Sequence, residues 1–132
     1  DVVVADQWGQ YLETIMARKV GDGFELPPGR PIRESGHANF GMMFSSEVMI
    51  ARGDQPLERK FWFAADPAMI EVARKAAADL TLKRCVADRC LLKEPRIVIG
   101  GNGVSGPAFV DNAELREWAF RSFEAKVLDM ET

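Results

Sequence analysis

The chain has 132 residues, 47% of them hydrophobic and 28% charged, with a formal net charge of −3. That is the size of one ordinary domain with its own hydrophobic core, and the composition excludes a disordered chain. No apolar run reaches the roughly 18–20 residues that a membrane helix needs.

The opening stretch DVVVADQWGQ has no basic flank and no long apolar segment, so it does not read as a signal peptide. It starts with Asp1 rather than Met, which is compatible with a segment already removed. Val2 to Val4 form a short strand or a packed chain end. Trp8, Tyr11, Leu12, Ile15 and Met16 then recur at helical spacing, which predicts a first helix with Asp6 at its cap. Gly21 and Gly23 would stop it.

The segment 21–37 holds three prolines and four glycines, a density that no regular element survives. It reads as one long loop laid against the body through Phe24, Leu26 and Ile32. Such loops are uncommon inside compact domains and often carry function.

From Ala38 the period changes to two. Phe40, Met42 and Phe44, then Val48 and Ile50, predict a strand with a bulge at Ser45 and Ser46. Arg52-Gly53-Asp54 supplies a turn, and ERKFWFA returns as a second strand. Simple alternation places Phe61 and Phe63 on one face and Lys60 with Trp62 on the other. Asp66 and Pro67 mark a helix start, with Ile70, Ala73, Ala77 and Leu80 as its buried stripe.

Residues 81–99 read as two short strands around CVADRC, ending in Ile97, Val98 and Ile99. With Ala87 and Asp88 at a hairpin tip, Val86 faces Arg89 and Cys85 faces Cys90 as a non-hydrogen-bonded pair. That register permits a Cys85–Cys90 disulfide. Ala-Asp is not a favoured turn pair, so reduced thiols remain the alternative. The sequence leans to a cytoplasmic protein, and an oxidised Cys85–Cys90 pair would make it periplasmic or secreted instead.

In RIVIGGNGVSGPAF, Gly101, Gly103 and Gly106 have the G-x-G-x-x-G spacing of a dinucleotide loop. That chemistry needs a helix starting at once, so that its amides hold the pyrophosphate. Here Pro107 follows, the next helix cap is the anionic Asp111, and too little chain remains for the ribose-binding acid. The stretch therefore reads as a turn between strands. A last helix is predicted from Asn112 to about Met130, with Asp111 and Glu114 as a capping-box pair and Leu115, Trp118, Ala119, Phe123 and Val127 as its apolar face.

The order α-β-β-α-β-β-α predicts one α+β domain over 1–132, a mainly antiparallel sheet packed by three helices. Chemistry is sparse. One histidine, His37, and two cysteines are too few for a closed metal site without carboxylates, so no metal or cofactor is expected. A nucleophile–base arrangement would need His37, and no spacing demands it.

The leading expectation is a non-enzymatic domain that binds another protein as inhibitor, adaptor or assembly component. Its contact surface would be Phe24, Ile32, Arg33 and the off-stripe Phe120, with no membrane partner. The charge is uneven, however: residues 30–96 hold 12 Lys/Arg against 9 Asp/Glu, and the remainder 5 against 11. The alternative is therefore a nucleic-acid-binding face made of Lys60, Trp62, Lys83, Arg84, Lys93 and Arg96. An enzyme using His37 or the glycine loop is the third.

Overall fold

A computed structural model describes residues 1–28 and 36–132. The chain is a mixed α+β protein in which, among the described residues, two helices rather than three pack on short strands. Five of the eight strand pairings among the described residues are antiparallel.

The predicted first helix is absent. Its residues form β2 (Gln7–Gln10), β3 (Thr14–Met16) and β4 (Arg18–Val20), preceded by β1 (Val2–Val4). The reason is visible at Gly9: a Cβ there would lie 2.7 Å from the Phe61 ring. Helix propensity loses to a close packing that only glycine permits. Asp6 caps nothing helical; its carboxylate accepts the Gly101 N–H at 2.9 Å. Gly21 has φ +57 and turns β4 back into β5 (Gly23–Glu25), so the long loop begins with a hairpin.

The next strands follow the predicted order with a different division. β6 (Met43–Ser45) pairs with β3, and β7 (Val48–Ile50) forms a hairpin with β8 (Glu58–Lys60). The chain bends at Phe61 and continues as β9 (Trp62–Ala64), which leaves β7 and pairs with β2. The bend breaks the expected alternation. Phe61 and Trp62 both enter the core, while Phe63 faces the other way with the Lys60 ammonium 5.5 Å above its ring.

α1 (Pro67–Ala78) starts as predicted, with Asp66 Oδ1 accepting the Ala68 N–H at 2.7 Å. Ile70 is its buried residue, and the helix packs on β12 (Ile97–Ile99). β10 (Cys85–Val86) and β11 (Arg89–Cys90) form the cysteine hairpin in the predicted register.

β1 runs parallel to β12, and β2 runs parallel to β13 (Asn102–Ser105). Both pairs bend at the same level. Gly100 and Gly101, at φ +99 and +88, turn β12 into β13 while Asp6 bridges to Gly101 through its backbone and side chain. The glycine-rich stretch is thus a kink between strands, where positive φ excludes other residues.

α2 (Ala113–Phe123) is shorter than predicted. Asn112, not Asp111, is its cap, and Glu124 ends it in the left-handed conformation at φ 52. Val127 therefore belongs to a strand, β14 (Ala125–Asp129), which joins the four-stranded sheet β14-β13-β2-β9.

The core lies between α2 and this sheet. Tyr11, Phe61, Val104, Trp118, Ala119, Phe123 and Ala125 form it, with Trp62 packed at its edge. Phe123 is its centre, with ring centroids of Trp118, Phe61 and His37 at 5.1, 5.3 and 4.7 Å. Burial holds the Tyr11 phenol above its ordinary pKa by desolvation.

Candidate binding surfaces

The last two carbonyls of α2 explain the single histidine. His37 Nδ1 lies 2.7 Å from Ser122 O, which requires a proton on Nδ1, and Asn102 Nδ2 donates to Phe123 O at 2.7 Å. Helix-end carbonyls need such partners. With its ring against Phe61, Trp62 and Phe123, His37 pins the chain before β6 onto α2. Among the described residues no group of three or more His, Cys, Asp or Glu is placed to hold a metal ion.

The surface residues read from the sequence fall in several places. Phe120 is 57% exposed on α2, off the buried stripe, and borders an open groove with Gly101, Asn102, Arg121, Glu124 and Lys126. Phe24 is half-buried in β5 opposite Lys19, away from that groove in the pairing scheme. Ile32 and Arg33 lie outside the described residues.

The basic set is not one platform. Trp62 packs at the core edge, and its strand neighbour is β2 rather than the 83–96 segment. Lys60 lies over Phe63 instead of beside Trp62. Arg84 reaches Glu94 at 3.5 Å and Arg96 reaches Asp1 at 3.4 Å, which leaves Lys83 and Lys93 without an ion pair among the described residues.

Cys85 and Cys90 are bonded, and their Cα atoms lie 4.1 Å apart. Disulfides persist where the surroundings are oxidising, as in secreted or periplasmic proteins. No helix among the described residues is long and apolar enough to cross a membrane.

Two features were not singled out from the sequence. The first is the outer side of α1. Met69 and Val72 are 71% and 65% exposed, and Leu80, just past the helix end, is 57% exposed. At 3.6 residues per turn, Met69, Val72 and Ala76 form a stripe beside the Ile70, Ala73 and Ala77 stripe that faces the sheet. The apolar face of α1 is wider than the surface that covers it.

The second is an open groove of about 420 Å³ that runs along the edge strand β14 from Lys126 and past its carboxyl end. Phe109, Val110, Arg116, Asp129, Met130 and Glu131 line it, and the Phe109 ring is 84% exposed. Ser105, the last residue of β13, pairs with Asp129 at this end. Its buried hydroxyl has no hydrogen-bond partner among the described residues.

These features describe a disulfide-bonded α+β protein with several exposed apolar side chains. Comparison with known proteins gives only distant likenesses. No family model matches the chain, and no solved structure matches it. It is similar to bark storage protein B of Populus deltoides, 24% identical over 96 residues, covering 73% of this chain and 31% of that protein. Bark storage protein A of the same species is 23% identical over the same coverage. The matched region thus spans about a third of each relative, and both carry the names of storage proteins.

Proposed function

We propose that the chain is a non-catalytic domain that binds another polypeptide. The uncovered apolar stripe of α1 carries this reading. An amphipathic helix whose apolar side exceeds its sheet contact gains by seating the excess on a partner. Phe120 on α2 adds a second exposed anchor, while Phe24, Ile32 and Arg33 stay candidates on sequence grounds alone. A role as inhibitor, adaptor or assembly component fits this surface and needs neither metal nor cofactor. The storage names of the distant relatives suit a protein without a catalytic set, and the cystine favours a periplasmic or secreted setting.

The test is capture of a stoichiometric partner from the source extract, with and without nuclease. Capture should survive nuclease and fail for Met69→Asp/Val72→Asp, while the thermal transition of that variant stays in place. Capture indifferent to those substitutions would remove the α1 reading. Capture that needs intact nucleic acid would favour the basic residues Lys60, Trp62, Lys83, Arg84, Lys93 and Arg96 instead.

A second reading rests on the groove beside Phe109. The groove follows the edge strand β14 and offers Arg116 and Lys126 as well as Asp129 and Glu131 beside the Phe109 ring. An exposed ring beside Asp129 and Glu131 suits a small molecule with a flat face and hydrogen-bond donors. A ligand screen by thermal shift should then give hits that Phe109→Ala abolishes; hits unchanged by Phe109→Ala would place binding elsewhere.

A further inference from the structure

We propose that the Cys85–Cys90 bond is a site of thiol–disulfide exchange with small soluble thiols, and that the core does not depend on it. The bond lies in an arm formed by residues 83–94, where β10 and β11 pair only with each other. Every residue of the arm is exposed, both cysteines included. Exchange requires a thiolate to reach one sulfur of the disulfide, so access decides which bonds react.

Two further observations separate this bond from a structural crosslink. The cysteines are five positions apart, so the bond closes a very short loop and removes little entropy from the unfolded chain. The ladder also aligns them without it. On one side of the pair the Leu91 N–H donates to Arg84 O at 2.9 Å, and on the other Val86 faces Arg89. Arg84 adds a hydrogen bond from Nε to Leu91 O and an ion pair with Glu94. After reduction the thiols therefore stay near each other, and the bond can close again. The core around Phe123 shares no residue with the arm, so reduction is a local event.

The exchange balances in two steps. An external thiolate attacks the sulfur of one cysteine; the mixed disulfide forms, the cystine bond breaks, and the other cysteine leaves as a thiolate that takes a proton from water. A second external thiolate then attacks the mixed disulfide, forming the external disulfide and releasing the remaining cysteine. Two external thiols are oxidised and one cystine is reduced. Between the steps the arm carries the external thiol as a reversible modification, which the freed cysteine can expel by attacking back.

The test is incubation of the oxidised full chain with reduced glutathione, native and in concentrated urea, read by alkylation and intact mass. The native chain should pass through a one-glutathione adduct to the dithiol. Its rate should lie within about threefold of that in urea, as for a bond that folding does not shield. The thermal transition of the reduced chain should lie at most about 10 °C below that of the oxidised chain. Cys90→Ser should trap the intermediate: from oxidised glutathione its Cys85 should take up one glutathione while the chain stays folded, and reduced glutathione should remove it. Native exchange more than about tenfold slower than in urea overturns the proposal. So does reduction that unfolds the chain, or a folded Cys90→Ser variant that stays unmodified. A bond opened by a protein dithiol reductase but not by glutathione also overturns it, since the site would then depend on recognition by a partner.

Discussion

The core beneath α2 and the cysteine arm hold their residues by opposite means. Around Phe123, five rings interlock at centroid distances of 4.7 to 6.5 Å, and side chains from both ends of the sequence close the end of α2. The arm buries no side chain and relies on one covalent bond and a few cross-strand hydrogen bonds. The comparison shows two ways of holding a chain in place. Packing fixes the body, and a crosslink lets apolar and charged groups remain in solvent at the arm without collapse.

That separation can be broken or sharpened by substitution. Phe123 is 1% exposed, so Phe123→Ala should cost about 3–5 kcal/mol and lower the urea midpoint sharply. Gly103→Ala tests the sheet behind the core: a Cβ there would lie 2.6 Å from the Trp8 ring, and about 1–3 kcal/mol of overpacking is expected. Cys85→Ser/Cys90→Ser closes no loop in the unfolded chain and should cost at most about 2 kcal/mol. A larger loss would mean that the arm packs on the body, and the contrast would fall.

A smaller effect should be visible in alkali. The folded state resists forming the Tyr11 tyrosinate, so the unfolded chain loses that proton first. Stability from this group is complete below the ordinary phenol pKa of about 10 and declines as pH rises above it. The decline should vanish in Tyr11→Phe. The chain has a single tyrosine, so its absorbance titration reports the same group. Smallest of all, Leu92→Ala should shift the midpoint by less than about 0.5 kcal/mol, as expected for an exposed residue.

How much of this was legible in the sequence depended on how local the signal was. Asp66-Pro67 announced α1 because capping is decided within one turn. The Cys85–Cys90 register followed from a two-residue tip. By contrast, Trp8, Tyr11, Leu12, Ile15 and Met16 mimic helical spacing because three short strands restart the alternation at each break. The overlooked signal was Gly9, poorly suited to a helix and required where β2 passes Phe61.

The end of α2 was hidden for a related reason. Glu124 takes the left-handed position where glycine usually marks the stop, so Val127 and Leu128 continued the helical pattern on paper. Among the surface residues, Phe120 was legible from its place off the helical stripe. The Phe109 groove was not, because it exists only once residues 108–110 and Arg116 of α2 lie beside β14.

The shared bend of β1–β2 and β12–β13 has a consequence for how the molecule comes to be made. Partners along it are 95 positions apart, as with Gln7 and Asn102. On the ribosome, Val2 to Gln10 emerge long before β12 and β13, the parallel strands that pair with them. Contacts between such distant residues make for slow folding, since the loop entropy is lost before the pairing repays it. During that wait Val2 to Val4 have no strand partner in β12, and an unpaired apolar strand is a site where chaperones act.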